Sequence, residues 1–136
     1  MKYLLDTMVV SEPTKVRPSS SVMTWLGSAR SDEVAVSAIT VGELVYGVER
    51  LPRGRRRDAL HAWLEVEFMP AFEPCILPLD GRVAREWALL RAATARTRPL
   101  VDMILAATAA THGLTIVTRN VSDFAGLPVP VFNPFA

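Results

Sequence analysis

Only one cysteine, Cys75, and two histidines, His61 and His112, occur in this chain of 136 residues. A single thiol excludes an internal disulfide and a cysteine-based metal cluster, and the two histidines show no ligand spacing. Cys75 opens the apolar run Cys75-Ile76-Leu77 and reads as a small buried thiol, not a nucleophile. An excess of one charge is missing too. Lys and Arg number 15 against 14 Asp and Glu, a net charge of +1, so any basic surface must be local. The longest apolar stretch, around Met103 to Ala110, is too short to cross a bilayer. Lys2-Tyr3-Leu4-Leu5 is too short for a secretion signal and Asp6 interrupts it, so a cytoplasmic location without membrane attachment is expected. Internal repeats, low-complexity tracts and linkers are absent, and residues 1–136 are expected to form a single domain.

What the sequence does have is alternation. Tyr3-Leu4-Leu5, Val34-Ala35-Val36, Cys75-Ile76-Leu77 and Thr115-Ile116-Val117-Thr118 read as short strands. Val129 to Phe132, hemmed by Pro128, Pro130 and Pro134, can only be a short edge strand. Helices are expected from Ser19 or Ser20 to near Gly27, from Ala38 to Leu51, from Asp58 to about Phe68, from Asp80 to Thr94, and from Pro99 to His112-Gly113; Met8 to Ser11 reads as a short helix or loop. Strands alternating with helices predict an α/β fold, with a mainly parallel sheet of four or five strands covered on both faces. The helix over 38–51 carries Val41, Leu44, Val45, Val48 and Leu51 on one side and Ile39, Glu43, Tyr46, Gly47 and Arg50 on another. Gly42 and Gly47, flanking Glu43, read as marks of close approach by another group. Trp25, Trp63 and Trp87 fall on apolar helix faces and are expected in the core.

Four acidic segments stand where an open parallel sheet places functional groups, beyond the carboxyl ends of strands and beside helix N-termini. Asp6 follows the first strand, Asn120 to Asp123 follow the fourth, and Glu43 and Asp102 lie near the starts of helices. Each has an ordinary explanation. Asp6 and Asp123 suit turn and helix caps, Thr40-Val41-Gly42-Glu43 fits a capping box, and Asp102 complements a helix dipole. Those explanations scatter the acids and do not predict convergence. If the acids converge, a cation is required, because two carboxylates about 5 Å apart repel by roughly 3 kcal/mol at an effective dielectric of about 20. An all-oxygen donor set favours Mg²⁺ or Mn²⁺ over zinc.

Taken in order, Leu4-Leu5-Asp6-Thr7, Val10-Ser11-Glu12-Pro13, Ser37-Ala38-Ile39-Thr40-Val41-Gly42-Glu43-Leu44, Val101-Asp102-Met103-Ile104-Leu105-Ala106-Ala107-Thr108-Ala109, Thr118-Arg119-Asn120-Val121-Ser122-Asp123-Phe124 and the terminal Val131-Phe132-Asn133-Pro134 resemble the ordered motifs of PIN domains. The resemblance is to VapC-type toxins of the FitB-like branch and spans nearly the whole chain. It implies a PIN-like three-layer sandwich and a metal-dependent endoribonuclease, the toxin of a type II toxin–antitoxin pair, hydrolysing RNA phosphodiesters. By that pattern Asp6, Glu43 and Asp102 hold Mg²⁺ or Mn²⁺, with Asn120 or Asp123 as the fourth polar position, and Thr7 and Thr118 orient carboxylates or water. It also implies a homodimer silenced by a cognate VapB-type antitoxin. One departure is Asp6-Thr7-Met8, where the family usually reads Asp-Thr-Asn; Met8 supplies no amide hydrogen bond.

Arg50, Arg53, Arg55, Arg56 and Arg57 form a local basic cluster, read as a solvated loop or, for Arg53, Arg55, Arg56 and Arg57, as an RNA-backbone contact. Two other functions compete. A PIN-fold binding module that has lost turnover would follow from Met8. A phosphatase with Asp6 as aspartyl nucleophile usually needs a second acid two residues on, and Met8 stands there.

Overall fold

The computed structural model describes all 136 residues. Five strands, β1 (Tyr3–Leu5), β2 (Val34–Ser37), β3 (Ile76–Leu77), β4 (Thr115–Val117) and β5 (Val131–Phe132), form one sheet in the order β3-β2-β1-β4-β5. Every pairing is parallel, with Leu4 opposite Ala35 on one side and Ile116 on the other. The α/β expectation holds, with five strands and no antiparallel member.

Strand side chains alternate between faces, so neighbours in sequence feed different cores. Leu4, Ala35 and Ile116 pack beneath α6 (Gly81–Ala93) and α7 (Leu100–His112) with Val83, Leu90 and Leu105. Leu5, Val36 and Val117 face α1 (Thr7–Val10), α2 (Ser20–Ser28) and α3 (Ala38–Glu49), with Val9, Val22 and Leu44. Helices thus cover both faces. Trp25 and Trp63 lie half-buried against the second core and Trp87 against the first.

The helix ends have local causes. Ser19 and Asp80 cap α2 and α6 by accepting from the amides of Val22 and Val83 at 3.4 and 3.1 Å. α7 starts after Pro99 and stops at Gly113, whose φ of 67° is the left-handed geometry that glycine adopts without strain. Within α7, Met103, Leu105, Ala106, Ala107, Thr108 and Ala109 are all buried, and Thr108 returns its hydroxyl to the Ile104 carbonyl at 2.8 Å.

The structure corrects several boundaries. The helix expected from Asp58 begins at Arg55: α4 (Arg55–Trp63) runs through a π-helical turn at Leu64–Phe68 into α5 (Met69–Phe72). Pro70 does not end it, because the wider turn shifts the backbone register just where proline lacks a donor. Arg55, Arg56 and Arg57 therefore belong to a helix, not a loop. Cys75 closes a short 3-10 turn before β3; its thiol is half-buried and donates to the Phe72 carbonyl at 3.2 Å. Val129 and Pro130 precede β5 and are not part of it. On α3, Val45 is exposed, and the buried stripe is Thr40, Leu44 and Val48.

Candidate active site

Parallel strands aim their carboxyl ends the same way, so the segments that leave β1, β2 and β4 meet at one edge. Asp6 leaves β1 and caps α1, its Oδ1 accepting from the Thr7 amide at 2.7 Å. Its Oδ2 accepts from the hydroxyl of Thr118, just past β4, also at 2.7 Å. Asp6 is therefore the ordinary cap and something more: its second oxygen is fixed across the sheet. The Thr118 hydroxyl, fully buried, also accepts from the Asn120 amide at 3.1 Å.

Glu43 belongs to α3, but the capping box fails. Ser37 caps that helix, accepting from the Ile39 amide at 3.2 Å. Glu43, freed from local duty, accepts instead from the Thr7 hydroxyl at 2.6 Å. Thr7 and Thr118 thus each donate a hydroxyl to one carboxylate. The glycine reading fails as well: a Cβ at Gly42 or Gly47 would meet nothing within 4 Å, so neither marks a close approach.

Asp102 occupies the first turn of α7. Its carboxyl is pushed up to about 6, first by desolvation, then by the negative charges of Asp123, Asp6 and Glu43, with Arg98 opposing. Asp102 therefore feels three acids that stand far from it in sequence. They do not close into a ready cage: no three His, Cys, Asp or Glu side chains gather tightly enough to clasp an ion as they stand. The donor chemistry, all carboxylate and hydroxyl oxygen, fits a hard divalent cation.

Asp123 and Asn120 differ in surroundings. Asp123 lies in a 3-10 turn (Val121–Phe124) tied to the start of α7 by Arg98, which donates Nη1 to the Asp123 carbonyl at 2.6 Å and Nη2 to the Ala125 carbonyl. Asn120 is exposed, and its amide nitrogen points at the Met8 sulfur, 3.8 Å away. Of the two, only Asp123 adds charge to the edge.

The arginine cluster does not act as a unit. Arg57 pairs with Glu49 at 2.6 Å, and His61 joins the same carboxylate at 3.1 Å. Arg53 and Arg55 are exposed, while Arg56 faces a cavity between α1, α3 and α4. Sequence reasoning assigned no role to Arg98, although it stands four residues before Asp102. Glu12 also went without one. It is buried, ion-paired to Lys15 at 2.9 Å, and bound by the Ser19 amide at 3.1 Å; the Lys15 ammonium above all holds its carboxyl below the usual range. A charged residue followed by proline gives no periodicity signal that would reveal such burial.

A family model described as PIN domain matches residues 3–127. The chain is 42% identical over 136 residues to Toxin FitB of Neisseria gonorrhoeae, covering 97% of both chains. The FitAcB structure from that organism superposes with a TM-score of 0.92 at 40% identity, covering 98% of both chains. The VapC ribonuclease Y4jK of Sinorhizobium fredii is 35% identical over 135 residues, with 97% of this chain and 96% of that one covered. A toxin–antitoxin complex from Klebsiella pneumoniae is similar at a TM-score of 0.73 and 26% identity, covering 98% of both chains.

Proposed function

We propose, since this chain belongs to the PIN-domain family among its FitB- and VapC-type members, that it is a divalent-metal-dependent endoribonuclease acting as the toxin of a toxin–antitoxin pair. What supports the reading is the setting of Asp102, whose carboxyl is pushed up by burial first and then by the charges of Asp123, Asp6 and Glu43 against Arg98, beside the hydroxyls of Thr118 and Thr7 that hold Asp6 and Glu43. An Mg²⁺ or Mn²⁺ ion bound there would offset the carboxylate charges, help activate water and help neutralise charge on the phosphate. Asp6, Glu43, Asp102 and Asp123 would hold it.

The remaining work falls to the chain itself. The Thr118 hydroxyl and the Thr7 amide fix both oxygens of Asp6, each of which keeps further acceptor capacity. This arrangement suits a ligand more than a free aspartyl nucleophile, which argues against the phosphatase. Thr7 orients Glu43 through its hydroxyl and so couples two carboxylates through one residue. Asn120 is exposed and donates its backbone amide to the same Thr118 hydroxyl that holds Asp6.

Partners follow from the same reading: an RNA substrate, a cognate VapB-type antitoxin and a second copy of the chain. No helix is long and apolar enough to cross a membrane. The non-catalytic alternative has Met8 behind it, since a thioether faces Asn120 where the family usually has an amide.

One experiment decides between them. Purified chain is incubated with RNA in Mg²⁺, in Mn²⁺ and in EDTA, beside Asp102→Asn. Cleavage in either metal, abolished by EDTA and reduced at least a hundredfold in the variant, is the expected outcome. RNA left intact in both metals by a folded wild-type chain assigns it to the binding-module class.

A further inference from the structure

The α3 face that carries Glu43 continues through Tyr46, Gly47 and Arg50, at i, i+3, i+4 and i+7. That stripe walls a cavity of about 530 Å³, which shares Thr7 and Glu43 with the acidic edge and receives Arg56 from α4. The size lies within the roughly 300–1,000 Å³ of small-ligand sites. Its chemistry is mixed in a particular way. Tyr46 is 67% exposed, a large apolar ring left in water. The Arg50 guanidinium sits 5.9 Å from that ring's centroid. Neither Arg50 nor Arg56 belongs to an ion pair, unlike Arg57 and Lys15. Leu60 and Trp63 supply apolar floor.

A ligand that satisfies all of these groups has a flat apolar part and an anionic part held close together. We propose that this cavity is a subsite for one unpaired nucleotide beside the scissile bond, with Tyr46 as the stacking platform for its base and Arg50 and Arg56 as contacts to its phosphate. The proposal rests on the ribonuclease reading and adds to it the residues that would hold a nucleotide next to the acidic edge. Aromatic stacking beside cations is the usual way proteins hold single strands, because every base offers a π-face. An acidic peptide would engage the two guanidiniums and leave the ring without a matching partner. Position reinforces the choice: Glu43 and Arg50, the C-cap of α3, are seven residues apart, about 10 Å along the helix axis, so a strand seated here extends directly from the acidic edge.

The test is binding of a fluorescently labelled short single-stranded RNA in EDTA, followed by anisotropy, together with cleavage kinetics in Mg²⁺ and Mn²⁺. Tyr46→Ala is expected to weaken binding roughly tenfold and Tyr46→Trp to restore it, as stacking requires. Arg50→Gln with Arg56→Gln is expected to flatten the slope of log affinity against log salt by about 0.7, one phosphate's worth for a single strand. Gly47→Leu, at a position where an added Cβ meets nothing, is expected to fill the cavity and block RNA while the chain melts no lower than wild type. In cleavage, Tyr46→Ala raises KM with kcat unchanged. Wild-type affinity in Tyr46→Ala and Gly47→Leu overturns the subsite, as does wild-type RNA affinity with lost binding of the protein partner. A chain that cuts RNA indifferently to Tyr46 refutes the subsite alone. One that binds RNA through Tyr46 yet cuts nothing in either metal refutes the nuclease reading alone.

Discussion

Asp102 shows how a single residue can work against the fold that holds it. The folded state keeps its proton up to about pH 6, whereas the unfolded chain releases it near the ordinary value of 3.8. Ionisation is therefore disfavoured by folding, the reverse of a salt-bridged aspartate. The penalty is absent below about pH 4, develops between there and 6, and is complete above. Without metal, Asp102→Asn should raise stability at pH 7.5 by about 1 kcal/mol, allowing for solvent screening at a part-exposed group. The gain should vanish by pH 4. Thermal melts of both proteins across that range check the claim, and an equal difference at every pH refutes the electrostatic origin. Divalent metal should stabilise the wild type and leave the variant nearly unmoved, because an occupied site turns the unfavourable charge into a ligand.

Among elements, the 3-10 turn at Val121–Phe124 and its C-cap Ala125 are tied to one distant side chain. Arg98 holds it by two carbonyls while also opposing the negative charge around Asp102. Arg98→Ala should destabilise the protein by about 1–3 kcal/mol, the range for hydrogen bonds from a charged donor. Amide exchange should accelerate at Val121 to Phe124 ahead of the rest. Arg98→Lys should recover only part of the loss, because an ammonium cannot fork to two carbonyls in one plane; full recovery would reduce the clamp to simple charge. This clamp also marks where sequence reading stops. Strands, sheet class and the helix over 100–112 were legible because burial leaves apolar runs and because Pro99 and Gly113 punctuate the chain. Asp6, Glu43 and Asp102 were legible as segments placed after strands and at helix starts. What was not legible was side-chain partnership. Thr40 looked like a cap for Glu43 because local spacing cannot reveal that Ser37 takes the cap and Thr7, far away in sequence, takes the carboxylate. Arg57 looked free for RNA until Glu49, eight residues back, came within 2.6 Å.

At the scale of the whole molecule, the two cores share the same three central strands, with Leu4 facing one and Leu5 the other. Neither core can melt without removing the sheet that supports its counterpart. Leu4→Ala and Leu5→Ala should each cost about 2–5 kcal/mol and lower one common urea transition. Far-UV circular dichroism and tryptophan fluorescence should trace that transition together, since Trp87 reports one side and Trp25 and Trp63 the other. Two separated transitions would contradict the coupling. The strand order carries a consequence for biosynthesis. β1 lies between β2 and β4, so the strand translated first gains its second neighbour only when Thr115–Val117 emerge. The bond from Thr118 to Asp6 bridges 112 positions and has to wait equally long. A nascent chain still short of that point cannot assemble the acidic edge, because Asp6 has neither its second neighbouring strand nor the Thr118 hydroxyl to fix its carboxylate.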